Sequence, residues 1–395
     1  MRGDIVPPKI IFDMDGVITG EERYWDAAAL AVWELLYSKR YLGLQPPPGM
    51  PLFGVNVSPE EISLIRKLIF QDDKLIAFFK QRAVNSNWDL AFLTFSFQLV
   101  QLIKKIDQTE TLQEYIVSKG MEVDVLPSFS QLLPNNKHNL SLLEGILHYD
   151  WAVDASGPRE LMQKQLRLLS PALEEALKET FSPYSPLWKG VQRIFQEWYF
   201  GEEKFQHLFY EPATKGKQGL VYSEKPVLPE DQVKETLAAL RDMGWCLGIA
   251  TGRPYSELYQ PLKEMDLWQY FDPTSVVTFT EVEKAEELLK KDLGGKSLSK
   301  PHPFSFLKAF WGENADDRKL FEGSVPPPPR GKCWVVGDSP ADLLGAQRMG
   351  ALFVGVLTGH GGTAQEELFQ RKGASVVIPD ITELPPFLRR KKQDI

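Results

Sequence analysis

An apolar run, Ile10-Ile11-Phe12, leads straight into Asp13-Met14-Asp15-Gly16-Val17-Ile18-Thr19, so two carboxylates stand at the end of what reads as a β-strand. In an open α/β sheet the carboxyl ends of strands are where ligands collect, which makes this pair the opening of an active site. Two plainer readings fail on the flanking residues. An Asp-Gly hairpin turn needs a second strand at once, whereas Glu21 to Tyr37 has helical periodicity. A calcium loop of the EF-hand kind needs an oxygen ligand at Val17, Gly at Ile18 and Glu at Tyr24. Three further stretches bring other reactive groups to strand ends or helix starts. The short apolar run Trp245 to Ala250 ends in Thr251-Gly252-Arg253-Pro254, which places a hydroxyl and a glycine N–H at a strand terminus. Ser299-Lys300-Pro301-His302-Pro303 presents a lysine in an extended X-Pro setting. Cys333 to Gly337 leads into Asp338-Ser339-Pro340-Ala341-Asp342, where Ser339 reads as an N-cap, Pro340 as the first helical residue and Gly350 as the stop. Asp342 then lies on the first helical turn, close to Asp338.

In this order the four stretches resemble the four motifs of the haloacid dehalogenase-like (HAD) superfamily, and its phosphatase branch in particular. The resemblance covers residues 9–19 and roughly 219–380. Phe12 to Thr19 is similar to the opening of beta-phosphoglucomutases, while Lys300 to Pro303 and Gly337 to Ala351 are similar to phosphoglycolate-phosphatase-type sequences. The resemblance implies a Mg2+-dependent hydrolase that acts on a small phosphorylated metabolite through an aspartyl-phosphate. A phosphomonoester is an anion, and a carboxylate such as Asp13 can attack it only if a divalent metal and fixed donors screen the repulsion. By the same resemblance, Asp15 gives its proton to the leaving oxygen and later takes one from the attacking water. Asp13, the backbone carbonyl of Asp15 and Asp338 are the implied magnesium ligands, with Asp342 bound directly or through water. Lys300, the Thr251 hydroxyl and the Gly252 N–H would stabilise the equatorial phosphoryl oxygens. Arg253 either touches the substrate or pairs with an acid such as Glu257, one turn on. A regular strand points Asp13 and Asp15 in opposite directions, so the chain must bend after Asp13, and Gly16 permits that. Two other readings stay open: a phosphomutase that passes the phosphoryl group to a second hydroxyl, and a catalytically idle binding or regulatory protein on the same fold. A dehalogenase is disfavoured, because it has no need of Asp15 as proton donor to an alcohol.

The positioning elements follow from periodicity. Pro229 to Met243 reads as a helix stopped at Gly244, and residues 276–279, 333–336, 352–356 and 375–378 read as strands after that of 246–250. Alternation of strands and helices predicts an α/β, Rossmann-like three-layer core with a parallel sheet and right-handed crossovers. Between the first and second motifs lie about 230 residues that read as helical almost throughout. Trp25, Ala29, Trp33 and Leu36 mark one amphipathic face, and Ile62, Ile65, Leu68 and Ile69 another. Residues 46–51 break the pattern and Ser58-Pro59-Glu60-Glu61 restarts it. Further helices are expected over 86–104, 108–119, 139–149, 157–180 and 186–200. The insertion resembles the mainly α-helical cap domain that closes over the site in one class of these phosphatases. The predicted division is core 1–19, cap 20–215 and core 216–395, with Gly216 to Leu220 a flexible stretch suited to a hinge. The aromatic-rich segment 181–210 reads as core, and the acidic, proline-rich segment 312–330 as a surface loop of polyproline II character.

Composition bounds the rest. A chain of 395 residues leads us to expect two or three domains. The net charge of −8 speaks against a general nucleic-acid binder, so the anion site must be a local positive pocket. Cys246 and Cys333 lie in apolar strands that the resemblance separates by the first strand, which argues against a disulfide and a secreted scaffold. The N-terminal apolar stretch is interrupted by acid within four residues, unlike a signal-peptide core. The longest near-apolar stretch, Leu90 to Val100, is half a membrane span and carries Thr94, Ser96 and Gln98. The expectation is a soluble, cytoplasmic protein whose partner is a small phosphorylated substrate, with no nucleic acid and no membrane. The histidines at 138, 148, 207, 302 and 360 show no paired metal-ligand spacing.

Overall fold

A computed structural model describes residues 7–393, apart from 83, 85, 107–108, 134–145, 148–154, 156, 295–296, 313, 360–361 and 363. The helix expected over 139–149 lies outside the described residues except for Ile146 and Leu147. Contacts along the chain divide it into two units, residues 1–21 with 222–395, and residues 22–221.

The first unit is built on six strands, β1 (Lys9–Phe12), β2 (Cys246–Ala250), β3 (Val276–Val277), β4 (Cys333–Gly337), β5 (Leu352–Val356) and β6 (Val376–Ile378). All pair in parallel in the order β3-β2-β1-β4-β5-β6, with Ile11 opposite both Gly248 and Val335. Strands of this kind are covered on both faces, which is why they read as continuous apolar runs. Ile10, Phe12, Ile249 and Val336 pack on one face with Val233, Leu237 and Leu258, while Ile11, Val277 and Val335 pack on the other with Phe304, Phe306 and Leu343. The result is the predicted three-layer α/β core. The chain leaves central β1 toward β2 and β3 on one side and then crosses to β4 on the other, and the carboxyl ends at such a reversal of strand order are where sheets of this kind bind ligands. Lys9 lies between Cys246 and Cys333 in the register, and both cysteines are free thiols.

Two sequence readings in this unit change. Phe279, expected to end a strand, begins the helix Phe279–Leu288, because Thr278 and Glu281 form a capping box. The segment 312–330 is not loop throughout: Asp316 caps a helical turn, Asp317–Phe321, whose Leu320 is buried. One buried residue per turn is too little to show as periodicity amid prolines.

The second unit is helical in its described residues. Glu22–Tyr37 is buried around almost its whole circumference and packs on Pro59–Ile69, Asn87–Ile103 and Pro186–Phe209. The helix expected over 157–180 is two, Pro158–Leu166 and Pro171–Leu177, because Pro171 has no N–H to continue the ladder but suits a first turn. The one expected over 186–200 runs on to Phe209 past a break at Gly201, whose φ is 77°. That break admits the returning chain: a Cβ on Gly201 would lie 2.6 Å from the backbone of Gln218, and one on Gly219 2.4 Å from the Phe200 carbonyl oxygen. Gly216 to Leu220, read from the sequence as a flexible stretch, is therefore packed against the helical unit. Lys217 Nζ is buried 2.7 Å from Glu34 Oε2 and 3.1 Å from Glu197 Oε2, and Trp198 Nε1 donates to Glu34 Oε2 at 2.7 Å. These bonds keep residues 216–221 with the helical unit, so the boundary falls after Val221 and not after 215. The aromatic segment is mostly core, with Phe181, Trp188, Phe195, Trp198, Tyr199, Phe200 and Phe205 buried and Tyr184 and Tyr210 exposed. Among the described residues no helix is long and apolar enough to cross a membrane.

A buried acid in this unit makes a testable pH effect. Asp89 accepts from Trp188 Nε1 at 2.8 Å, yet burial pushes its carboxyl up to about 6, against the opposing effect of the Trp188 and Ser86 bonds. A carboxyl raised above its unfolded value contributes stability that is present at low pH and lost as pH rises through the folded value. Asp89→Asn keeps an oxygen for Trp188 and removes the charge. Its melting temperature should match wild type near pH 3 and exceed it at pH 7.5, by a stability difference of about 1–3 kcal/mol. Melting no higher than wild type at pH 7.5 would show that the site favours the carboxylate.

Candidate active site

β1 ends at Phe12, paired with Ile249 and Val336, so Asp13 emerges between the ends of β2 and β4. The Asp13 N–H makes a last bond to the Val336 carbonyl at 2.9 Å. The chain then leaves the sheet in a tight loop. The Met14 carbonyl accepts the N–H groups of Val17, Ile18 and Thr19 at 3.2, 2.9 and 2.9 Å, and Gly16 takes a φ of 75°. This is the bend that the spacing of the two acids required.

At the end of β4, Ser339 caps the helix Pro340–Met349 through a capping box with Asp342. Ser339 N–H and Oγ donate to Asp342 Oδ2 at 3.2 and 2.6 Å, which fixes that carboxylate and leaves Oδ1 to turn elsewhere. Gly337 makes room for it, since a Cβ there would lie 2.5 Å from Asp342 Cβ. Lys300 Nζ reaches in to 2.8 Å from Asp13 Oδ1 and 2.8 Å from Asp342 Oδ1. Arg348 Nη1 donates to the Pro301 carbonyl at 2.9 Å and so ties the lysine loop to the same helix. Asp13, Asp338 and Asp342 each offer a carboxylate oxygen within 4.8 Å of the others.

Three carboxylates thus gather in one place, and one ammonium is paired with two of them, Asp13 and Asp342. Burial first, and then Asp342, push the Asp13 carboxyl up to about 7 despite Lys300. Burial alone would lower the Lys300 ammonium, but Asp13 and Asp342 outweigh it and hold Lys300 above its ordinary value. A set of hard oxygen donors with an excess of negative charge suits a hard divalent cation. Backbone shape fits the same purpose: a Cβ on Gly16 or Gly359 would lie 2.5 or 1.8 Å from Asp338 Oδ2, so both glycines keep the space around that oxygen clear.

The remaining predicted residues form a second group. Arg253 forks onto Asp15, with Nε 3.0 and 3.1 Å from Oδ1 and Oδ2, and Nη2 also on Oδ1. Glu257, the acid one turn on, contributes its backbone carbonyl to Nη1 at 3.3 Å. Thr251 is buried at the end of β2, and its Oγ1 accepts the Arg253 N–H at 3.1 Å. Gly252 is exposed, with no atom within 4 Å of where a Cβ would be. Among the described residues no hydrogen bond joins Thr251 or Gly252 to Asp13, Asp338 or Asp342. Sequence reasoning passed over three residues here: Glu224, which pairs with Arg253 at 2.7 Å; Thr358, whose Oγ1 donates to the Gly16 carbonyl at 2.5 Å; and Gly359. A glycine-rich stretch straight after β5 was the one available signal, for Gly359.

The sequence profile of the HAD-hydrolase-like family matches residues 297–384, the stretch that carries Lys300, Asp338 and Asp342. With that match, a doubly wound parallel sheet and the motif acids gathered at its carboxyl end, the chain belongs to the haloacid dehalogenase-like superfamily of hydrolases. An X-ray structure of a Northeast Structural Genomics Consortium target is 33% identical to it, with a TM-score of 0.78 over 98% of this chain and 99% of that chain. More distant are a HAD family hydrolase from Deinococcus radiodurans R1 with bound phosphate and sodium, 14% identical with a TM-score of 0.37 over 98% of each chain, and a predicted phosphoglycolate phosphatase from Haemophilus somnus 129PT, 15% identical with a TM-score of 0.39 over 98% of this chain and 100% of that chain. No curated protein sequence matches the chain.

Proposed function

We propose that this hydrolase is a magnesium-dependent phosphatase acting on a small phosphorylated metabolite, with Asp13 as the nucleophile. The observation that supports this most is Lys300, held between Asp13 and Asp342 beside Asp338, since it sets a fixed positive charge against the carboxylate that must meet an anion. An Asp13 oxygen attacks phosphorus as the ester P–O bond breaks, and Asp15 gives its proton to the departing oxygen. Water then attacks phosphorus, Asp15 takes the water proton, and the P–O bond to Asp13 breaks to release phosphate. Asp13, Asp338, Asp342 and the backbone carbonyl of Asp15 would hold Mg2+, which when bound adds positive charge next to the phosphoryl oxygens. Thr251 Oγ1 and the open Gly252 N–H are the neutral donors assigned to the phosphate. Free thiols at Cys246 and Cys333 suit a reducing compartment such as the cytoplasm.

Purified protein should hydrolyse 4-nitrophenyl phosphate in Mg2+, lose that turnover in EDTA and regain it when Mg2+ is restored. No hydrolysis across a panel of sugar phosphates, nucleotides and phosphorylated hydroxy acids would overturn the reading and favour a binding protein on this fold.

A further inference from the structure

Arg253 is set deeper than a substrate-binding arginine would need to be. Its side chain is 1% exposed, and every guanidinium nitrogen faces a protein oxygen: Nε and Nη2 face Asp15, Nη2 also Thr19 Oγ1 at 3.0 Å, and Nη1 the Glu257 carbonyl and Glu224 Oε1. Glu224 itself is 1% exposed at the side chain, and lies in the segment whose neighbours pair with the nucleophile loop, Gly20 N–H to the Lys225 carbonyl and Val227 N–H to that of Ile18. Asp15 by contrast keeps 22% of its side chain open. A buried pair of this kind adds little net stability, because desolvation offsets the attraction, so its use lies more in geometry than in strength. Arginine's planar fork fixes the plane of a carboxylate in a way that lysine cannot.

We propose that Arg253 and Glu224 are positioning residues for proton transfer: Glu224 fixes the guanidinium from one side, and the guanidinium fixes the plane of the Asp15 carboxyl from the other, with the open edge of Asp15 turned toward the departing oxygen. The inference rests on the phosphatase reading and deepens it. It assigns Arg253 no contact with substrate, so its loss acts on the proton-transfer step and not on phosphate affinity.

The test compares kcat/KM on substituted phenyl phosphates, whose leaving groups differ in their need for a proton while the phosphate stays the same. Glu224→Gln is close to isosteric. It should lose about tenfold on phenyl phosphate and less than about threefold on 4-nitrophenyl phosphate, a part of the roughly 10²–10⁴-fold that a well-placed acid supplies. Arg253→Lys keeps the charge without the fork and should show the same steepened dependence on the leaving group. It serves as the second variant, and melting curves of both report folding. Equal losses on every ester, or none, would overturn the proposal and leave the cluster a structural bolt. Wild-type protein that cleaves no phenyl phosphate would instead overturn the phosphatase reading, and this inference with it.

Discussion

Asp13→Asn should abolish turnover of any phosphomonoester, with kcat lower by at least about 10⁴-fold, the scale seen when a catalytic nucleophile is removed. Asparagine fills the same space and accepts the Met14 N–H that Asp13 Oδ1 takes at 2.8 Å, so the loop has no reason to collapse. Stability should in fact hold or rise. Burial and then Asp342 raise the Asp13 carboxyl to about 7, so the stability it contributes in metal-free protein is lost as pH rises through that value. Lys300 keeps Asp342 as partner at 2.8 Å when the Asp13 charge is gone. In EDTA at pH 8 the variant is thus expected to melt no lower than wild type. A second measurement separates a lost nucleophile from a lost metal site. Wild type quenched in acid during turnover of a 32P-labelled ester should carry label that hydroxylamine removes, as an acyl phosphate does, and Asp13→Asn should carry none. Turnover within tenfold of wild type would remove Asp13 from the chemistry.

What could be read from the sequence was what terminates a strand. Asp13, Thr251 and Asp338 each follow an apolar run directly, and parallel pairing in register brings all such positions to one edge of a sheet. Arg253 shows where that reasoning stops. Its candidate partner in sequence was Glu257, one helical turn on, by the rule that governs neighbours on a helix face. The structure keeps Glu257 beside it through the Glu257 carbonyl and adds Asp15, 238 residues away, and Glu224, a lone acid in a segment without periodicity. No local pattern records such a partner. Gly216 to Leu220 meets a related limit. Glycines signal either freedom or close approach, and only the neighbour decides which. Here Gly219 abuts the Phe200 carbonyl while Lys217 is locked between two buried glutamates, so the residues that read as a flexible stretch pack against the helical unit.

Gly359→Ala carries the same point into the active site, because it should damage metal binding without touching a ligand. A Cβ on Gly359 would lie 1.8 Å from Asp338 Oδ2, 2.5 Å from Cγ and 2.7 Å from Cβ, closer than any real contact. The backbone there does not need positive φ, so alanine brings no torsional strain of its own; the Asp338 carboxylate must swing away and, since Asp338 Cβ stays in place when it does, the two backbones must also move slightly apart. Gly16, with a Cβ position 2.5 Å from the same oxygen, makes a poorer probe, because its φ of 75° penalises any side chain on conformational grounds as well. Thr358 Oγ1, which bonds the Gly16 carbonyl, anchors the residue before Gly359 and limits how far the backbone shift can spread. Displacing one of three carboxylates should raise the Mg2+ concentration for half-maximal hydrolysis by about 10–100-fold, the cost typical of disturbing the groups that orient a metal's ligands. Calorimetric titration with Mg2+ should show the same weakening in the absence of substrate, and the rise in melting temperature on adding Mg2+ should be smaller than in wild type, whatever the shift costs in EDTA. Unchanged Mg2+ dependence would mean that Asp338 is not held where a cation needs it, and the three-acid site would have to be redrawn around Asp13 and Asp342 alone. A residue that contributes only the absence of a side chain, as Gly359 does, leaves no chemical group in the sequence to notice, which is why it escaped a reading that began from groups able to react.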